Sequence, residues 1–191
     1  MKFSSDIVVF DLEASCKTFG INEVEESNII EIGAVKLDKN SLEIKSEFTT
    51  LVKPMDFPVL PQIEKITGIS NQMLVNEAFF DKAVLSFLEW YGARNRSLLA
   101  GWGLYYDLPL LRKEFRRFGI NYGTYFVGGG FDIKGLVYFW LAKNNMATSG
   151  ISIERVAKKF EIIPQKGFHR ALDDARATAR ILQKIALENP G

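Results

Sequence analysis

The chain has 191 residues, of which 47% are hydrophobic and 25% charged, with 24 Lys and Arg against 23 Asp and Glu. This composition excludes a disordered or collagen-like chain, and a single cysteine excludes both a disulfide framework and a cysteine-based zinc cluster. The length predicts one domain, residues 1–191, large enough to bury a core without disulfides. A formal net charge of +1 gives no sign of a polyanionic partner.

Three features of the sequence favour the cytoplasm. Asp6 interrupts the N-terminal segment where a secretory signal needs its apolar run. The longest apolar stretch, residues 135–142, is far shorter than the roughly 20 residues that cross a bilayer. A single cysteine suits a reducing compartment. We therefore expect a cytoplasmic protein with no membrane association.

The first half of the chain predicts strands. β-Branched and aromatic residues at 6–13 and 28–37 indicate two strands, and a tight turn leads to a third at 42–52. Turns this short connect antiparallel neighbours. Prolines then interrupt the chain before a short helical segment at 62–66 and a turn capped by Ser70.

The second half alternates helices with strands. Apolar runs predict a fourth strand at 97–102 and a fifth at 126–131. Helical periodicity is present at 77–91, 107–118, 133–143, 153–160 and 171–187. A three-strand antiparallel meander followed by alternating helices and strands predicts an α/β fold, with a mixed five-stranded sheet flanked by helices.

Two carboxylates lie at the end of the first strand. Asp11 and Glu13 are two residues apart, so both side chains point to one face of an otherwise apolar strand. Burying two like charges so close together is costly unless a cation lies between them. The alternative is that the strand ends at Phe10 and both acids lie in solvent.

Asp107 begins a predicted helix, where Asp is a preferred N-cap residue. It also heads the apolar stripe of that helix, which continues through Leu111, Phe115 and Phe118. A carboxylate in this place can cap the helix and still face a cleft, and the spacing does not decide between the two roles.

The last helix contains two adjacent aspartates with opposite surroundings. Helical steps from Asp173 reach Arg176 and Arg180, which predicts a solvent-exposed face. The same steps from Asp174 reach apolar residues such as Ile181, so Asp174 is expected to point toward the interior.

His169 is the only histidine of the chain, and it precedes Asp174 by five residues. Gly167 indicates that it lies on the loop that enters the last helix. An isolated histidine is more often an ordinary surface or half-buried residue, but its proximity to an interior aspartate favours a functional role.

Three segments resemble the motifs of the DEDDh 3′–5′ exonuclease family, which has a ribonuclease-H-like fold. They are FDLEASC at 10–16, WGLYYD at 102–107 and HRALDDA at 169–175, with ITGIS at 66–70 between the first two. The Trp-Gly pair and the form of the first motif are similar to the Eri-like and KapD-like branch. The distance from Trp to Asp in the second motif is one residue longer than is usual in that branch.

The resemblance implies a role for each matching residue. Asp11, Glu13, Asp107 and Asp174 would hold two divalent cations, Mg²⁺ or Mn²⁺, and His169 would be the general base. Carboxylate oxygens suit these hard cations, and the ordinary imidazole pKa of about 6.5 suits proton transfer near neutral pH. The implied reaction is hydrolysis of phosphodiester bonds from a free 3′ end, releasing nucleoside 5′-monophosphates.

Two further acids and the single cysteine are expected to have structural roles. Glu31 in the second strand fits the appearance of the family but is not a ligand there, so we interpret it as a structural acid. Asp132 is interpreted as a helix cap. Cys16 is expected to be a small buried residue, because no basic partner lies nearby in sequence.

The resemblance also implies a binding site for the terminal nucleotide, flanked by Ala14, Ser15, Ile66 and Thr67. One of three aromatic residues, Tyr105, Tyr106 and Phe168, can offer a stacking face for a base, but core packing is the favoured alternative for each. A basic cluster in the helix at 107–118 forms either a phosphate-facing patch or an ordinary solvated face; its members are Arg112, Lys113, Arg116 and Arg117.

These observations lead to one main hypothesis and two alternatives. The main one is a metal-dependent 3′–5′ exonuclease acting on single-stranded RNA or DNA ends, with RNA mildly preferred. The alternatives are a DNA proofreading or repair exonuclease and a catalytically silent module that binds nucleic acid or protein. Silent copies usually lose a carboxylate or the histidine, and this chain keeps all five residues. Two bound divalent cations would change the charge balance to roughly +5, so near neutrality does not exclude nucleic acid.

Overall fold

A mixed five-stranded sheet forms the centre of the protein. The structure, a computed structural model, describes residues 3–17, 23–163 and 168–187. Its strands are β1 (Asp6–Cys16), β2 (Ser27–Leu37), β3 (Ile44–Leu51), β4 (Ser97–Gly101) and β5 (Phe131–Asp132), in the spatial order β3-β2-β1-β4-β5. The β1, β2 and β3 strands pair antiparallel, whereas β4 pairs parallel with β1 and β5. The predicted α/β fold with a meander and added parallel strands is confirmed.

Helices flank this sheet. They are α1 (Pro61–Thr67), α2 (Asn71–Leu74), α3 (Phe80–Tyr91), α4 (Asp107–Arg117), α5 (Ile133–Lys143), α6 (Ile153–Lys159) and α7 (Ala171–Leu187). The Ser70 side chain accepts a hydrogen bond from the Met73 N–H, which confirms the predicted cap. Among the described residues, no helix combines the length and the apolar character that a membrane span requires.

The first strand extends to Cys16 rather than 13, the third begins at Ile44 rather than 42, and two further predicted boundaries were wrong for a clear physical reason. The fifth strand does not begin at 126, because Gly128 and Gly130 have φ values of +70° and +79°, and a left-handed backbone cannot continue a strand. The third helix begins at Phe80 rather than 77, because the carbonyl of Ala78 accepts a hydrogen bond from the N–H of Lys53.

The alternation of residues along β1 determines which layer each side chain contacts. Val8 belongs to the cluster that includes α3 and α4, whereas Ile7 and Val9 pack with apolar residues of α7. Asp11 and Glu13 continue the face of Ile7 and Val9, because successive strand residues point to opposite faces. The fold therefore directs both carboxylates toward α7.

Gly33 of β2 allows the start of α7 to lie directly on the sheet. It pairs in register with Asp11. A Cβ at this position would lie 2.1 Å from the backbone nitrogen of Leu172 and 2.2 Å from the backbone carbonyl carbon of Ala171. Because backbone atoms cannot move aside as a flexible side chain can, only glycine fits here.

We expect Gly33→Ala to lower the free energy of unfolding by about 1–3 kcal/mol or more, because the added methyl group overlaps the α7 backbone. Chemical denaturation of both proteins measures this difference. Gly135→Ala is a matched control, since Gly135 lies within α5 with no atom within 4 Å of the added methyl group. The control is expected to stabilise the protein by about 0.5–1 kcal/mol. Equal unfolding free energies for Gly33→Ala and wild type would contradict the close approach.

Candidate active site

Three carboxylates from two elements meet at the end of the sheet. Asp11 and Glu13 of β1 and Asp174 of α7 each place an oxygen within 4.8 Å of the others. The β1 strand continues to Cys16, so the alternative in which it ends at Phe10 is excluded. The register between β1 and β2 shifts directly after Glu13, where Ile30 of β2 has no partner on β1.

Asp107 lies beside this cluster, at the start of the helix that follows the neighbouring strand β4. It is the first residue of α4, which follows β4, and β4 lies beside β1. The N-cap position belongs to Tyr106, so Asp107 is not the helix cap. Asp107 is buried, and its negative charge is, after burial, the largest cause of the raised pKa of Asp11. The cleft-facing alternative is therefore the one that the structure supports.

Burial and mutual repulsion raise the pKa of all four carboxyl groups. Burial is the main cause in each case, and all causes together bring the pKa of Asp107 and of Asp174 to about 7 and that of Glu13 to about 8. Neighbouring carboxylates add to these rises, and the pKa of Asp11 lies well above its ordinary range for the same two reasons. A site of this kind favours either protons or bound cations over free anions.

The hydrogen bonds of Asp174 support a cation. Its Oδ2 accepts a hydrogen bond from the N–H of His169 at 3.2 Å. Its Oδ1 is buried and has no hydrogen-bond partner among the described residues. An unsatisfied buried carboxylate oxygen is destabilising unless it takes a proton or binds a metal. Because the cluster offers only carboxylate oxygens, its residues fit Mg²⁺ or Mn²⁺.

The raised pKa values predict how pH affects the stability of the metal-free protein. A carboxyl group whose folded-state pKa is raised favours folding at low pH, and this contribution is lost as pH rises through the folded-state pKa. Since these pKa values are about 7 to 8, we expect the Tm in chelator to fall between about pH 5 and pH 8. Added Mg²⁺ should raise the Tm more at pH 8 than at pH 5. An equal rise at both pH values would argue against binding by these carboxylates.

Glu31 holds the start of α7 over the site. Its buried carboxylate accepts hydrogen bonds from the Arg170 guanidinium, at 3.0 Å from Nε and 2.6 Å from Nη2. The same carboxylate accepts the N–H of Ala171 at 3.0 Å, which satisfies a donor at the helix N-terminus. The interpretation of Glu31 as a structural acid is confirmed.

Asp173 is buried, and the expectation that it lies at the surface was wrong. Its Oδ1 accepts a hydrogen bond from Arg176 Nη1 at 3.1 Å. Arg176 also donates to both carboxylate oxygens of Glu47 on β3, at 2.8 and 2.6 Å. The predicted pairing of Asp173 with Arg176 within α7 is confirmed. The face of α7 that carries the pair is not exposed to solvent, because it packs against β3.

His169 is attached to the cluster through its backbone. Its φ of +69° directs its N–H to Asp174, while its imidazole is half exposed with Nε2 at 3.6 Å from Glu154 Oε1. Glu154 is a neighbour that sequence spacing does not reveal, because it lies on the separate helix α6. Gly167, on which the loop prediction depended, lies outside the described residues.

Two of the residues expected to flank a nucleotide have their side chains engaged inside the protein. Ser15 is fully buried, and its Oγ accepts the N–H of Leu60 at 3.4 Å. Thr67 is buried, and its Oγ1 donates to the carbonyl of Ile63 at 3.0 Å. These side chains stabilise α1 and its attachment to β1, so only their backbones would be free to flank a nucleotide, and that role stays a prediction. Ala14 is half-buried and Ile66 is 51% exposed, so both remain accessible.

The three candidate stacking residues differ in their surroundings. The Tyr106 hydroxyl lies 2.8 Å from Ser27 Oγ, and its half-buried ring packs on the core. This environment favours the core-packing alternative for Tyr106, and its stacking on a base stays a prediction. Phe168 packs against the cluster between α5, α6 and α7. Tyr105, by contrast, is 78% exposed.

Two members of the basic cluster of α4 have partners within the protein, whereas Arg112 and Arg116 are exposed. Lys113 is buried, and its ammonium donates to backbone carbonyls that include those of Val24 and Ser27. Arg117 binds both oxygens of Asp56 at 2.6 Å. These two cations hold the segments that precede β2 and α1, and the sequence shows neither contact because the partners are distant along the chain.

The remaining two interpretations are confirmed. Asp132 caps α5 by accepting the N–H of Lys134 at 2.9 Å, and it also accepts the N–H of Gly103 at 3.0 Å. Cys16 is buried at the end of β1.

Comparison with protein families decides which kind of enzyme this geometry belongs to. A family model for exonucleases, RNase_T, matches residues 8–182. The chain belongs to this exonuclease family. Membership confirms the resemblance that the three motifs indicated, and the matched segment contains all four carboxylates and His169.

Relatives of this exonuclease have different names and lengths. The DNA polymerase III subunit epsilon of Aquifex aeolicus is 32% identical over 95% of this chain and 80% of its own length. A putative bifunctional exonuclease/endonuclease protein of Mycobacterium tuberculosis is 31% identical, but the chain covers only 26% of it. The ERI1 exoribonuclease 2 of Xenopus laevis is 36% identical over 47% of this chain and 13% of its own length.

Solved structures support the same fold. The nuclease domain of 3′hExo, a DEDDh family member bound to rAMP, has a TM-score of 0.80 at 20% identity, covering 98% of this chain and 94% of that one. E. coli Exonuclease I in complex with a dT13 oligonucleotide has a TM-score of 0.77 at 17% identity, covering 96% of this chain and 41% of that one.

Proposed function

We propose that this exonuclease is a metal-dependent 3′–5′ exonuclease that removes nucleotides from single-stranded ends, with RNA mildly preferred over DNA. The observation that carries the proposal is the convergence of Asp11, Glu13 and Asp174, with Asp107 beside them and His169 bonded to Asp174. Buried like charges at this density are unfavourable unless cations are bound.

Each residue receives a role in this proposal. Asp11, Glu13 and Asp174 would hold the divalent cations through their carboxylate oxygens, and Asp107 would support them from beside the cluster. Bound there, Mg²⁺ or Mn²⁺ would supply charge stabilisation for the oxygens of the phosphodiester bond. His169 accepts the proton of the attacking water, which requires its half-exposed ring to turn from Glu154 toward the carboxylates.

Both nucleic acids have support as the substrate. The Trp102-Gly103 pair and the similarity to a protein named as an exoribonuclease favour RNA. The similarity over nearly the whole chain to a DNA polymerase III subunit favours the second candidate, a DNA proofreading exonuclease. A solved neighbour bound to rAMP and another bound to dT13 show that proteins of this fold accept both chemistries.

The decisive experiment uses 5′-labelled single-stranded RNA and DNA of matched sequence, with Mg²⁺, with Mn²⁺ and with chelator. We expect a ladder of 3′-shortened products with either metal, none with chelator, and faster loss of RNA. A substrate blocked at its 3′ end should resist degradation, which tests the direction. Faster shortening of DNA than of RNA would favour the proofreading candidate. The absence of shortened products with every metal would contradict the proposed exonuclease activity.

A further inference from the structure

Tyr105 is an exposed aromatic residue next to the carboxylate cluster. Its ring is 78% exposed, which excludes the core-packing alternative for this residue. It precedes Asp107 by two residues, so their Cα atoms are at most about 7.6 Å apart. The backbone of Tyr105 is therefore adjacent to that of a residue of the proposed active site.

The backbone beneath this ring is held in place. Gly103 has a φ of +65°, and its N–H donates to Asp132 at 3.0 Å. A Cβ on Gly103 would lie 3.1 Å from Tyr105 Cε1 and 3.3 Å from Lys134 Cδ. The ring therefore lies over Gly103, beside the side-chain stem of Lys134. The Asp132 carboxylate accepts the backbone N–H groups of both Gly103 and Lys134, which fixes Gly103 to the start of α5.

Lys134 adds a cation to the same surface. Its ammonium lies over the Tyr105 ring, 5.8 Å from the ring centroid. Within the described residues no carboxylate lies within 4.0 Å of this ammonium, unlike the paired Arg117 and Arg176. An exposed aromatic ring with an unpaired cation above it matches the two parts of a nucleotide, its base and its phosphate.

We propose that Tyr105 and Lys134 form a binding site for the nucleic-acid strand next to the cleaved end. The Tyr105 ring stacks on a base, and the Lys134 ammonium contacts an adjacent phosphate. The inference rests on the proposed function, because it takes the carboxylate cluster as the place of cleavage. Stacking tolerates any base, so the site supplies affinity for a single strand rather than sequence preference.

Fluorescence of 2-aminopurine, placed at successive positions from the 3′ end of an oligonucleotide, tests this site directly. Binding is followed with the Asp174→Asn protein, so that cleavage does not interfere. We expect one position near the 3′ end to be quenched on binding. Tyr105→Ala should abolish that quenching and weaken binding about 5- to 30-fold, whereas Tyr105→Phe should preserve both. Lys134→Ala should reduce the dependence of binding on salt by about one phosphate contact.

Phe139→Ala is the matched control. Phe139 is an exposed aromatic residue of α5 that lies about 140° around the helix from Lys134. Its replacement should leave the quenching and the affinity unchanged. The inference is overturned if Tyr105→Ala matches Phe139→Ala in both measurements while wild type degrades the labelled substrate. Failure of wild type to degrade any substrate would instead contradict the proposed function, so the two failures are distinguishable.

Discussion

Replacing Asp174 with Asn is expected to lower the rate of nucleotide release by about 10³-fold or more. The change removes one negative charge from the cluster, and a bound divalent cation is worth several kcal/mol of transition-state stabilisation. The amide oxygen can still accept the N–H of His169, so the local fold should persist. The rate is measured as the appearance of shortened products in Mg²⁺.

The same variant has a second expected effect, which does not depend on activity. In chelator at about pH 8, Asp174→Asn should be more stable than wild type, because one of four repelling carboxylates is gone. Added Mg²⁺ should raise its Tm less than that of wild type. Asp38→Asn is the control for the Mg²⁺ effect, because Asp38 follows β2 at the end of that strand far from the pairing with Glu13. Mg²⁺ should raise the Tm of this control as much as that of wild type. Wild-type activity in Asp174→Asn would refute the assignment of this ligand.

Replacing His169 with Asn is expected to reduce kcat by about 10²- to 10⁴-fold, the usual contribution of a general base. Asn is preferred to Ala here because the φ of +69° is one that Asn adopts more readily. The amide cannot accept a proton from water at neutral pH, but it leaves the four carboxylates in place. Initial rates at saturating substrate measure the effect.

Two observations separate a lost base from a disturbed site. Mg²⁺ should raise the Tm of His169→Asn as much as that of wild type, and added imidazole should restore part of the rate. Unchanged turnover in the variant would show that His169 is not the general base. Loss of the Mg²⁺ effect would show instead that the substitution had disturbed Asp174, whose carboxylate accepts the backbone N–H of residue 169.

The parts of the site that could be predicted from sequence are those that depend on local periodicity. The two-residue spacing of Asp11 and Glu13 places them on one strand face, and the apolar stripe of α7 directs Asp174 inward. Both patterns hold whatever the partner element is. The formal net charge of +1 counts these acids as free anions. Burial raises their pKa, so the site favours bound protons or cations instead.

The parts that could not be predicted depend on contacts between distant segments. Asp173 is buried because Glu47 of another strand binds its partner Arg176. Lys113 is buried because its ammonium donates to the carbonyls of Val24 and Ser27, at and just before the start of β2, instead of to water. Tyr106 is anchored by Ser27 of the same segment. No periodicity within a helix reports which residues of a remote strand will lie against it.

Titration of the protein with Mg²⁺ by calorimetry at about pH 7, in two buffers of different ionisation enthalpy, tests the central claim most directly. The claim is that the buried carboxylates of Asp11, Glu13, Asp107 and Asp174 hold divalent cations. Because three of their pKa values are about 7 to 8, binding should release protons, so the observed heat should depend on the buffer. Wild type should bind Mg²⁺ with such proton release, and Asp174→Asn should bind it more weakly. Absence of binding to wild type, or equal binding to both proteins, would contradict the claim.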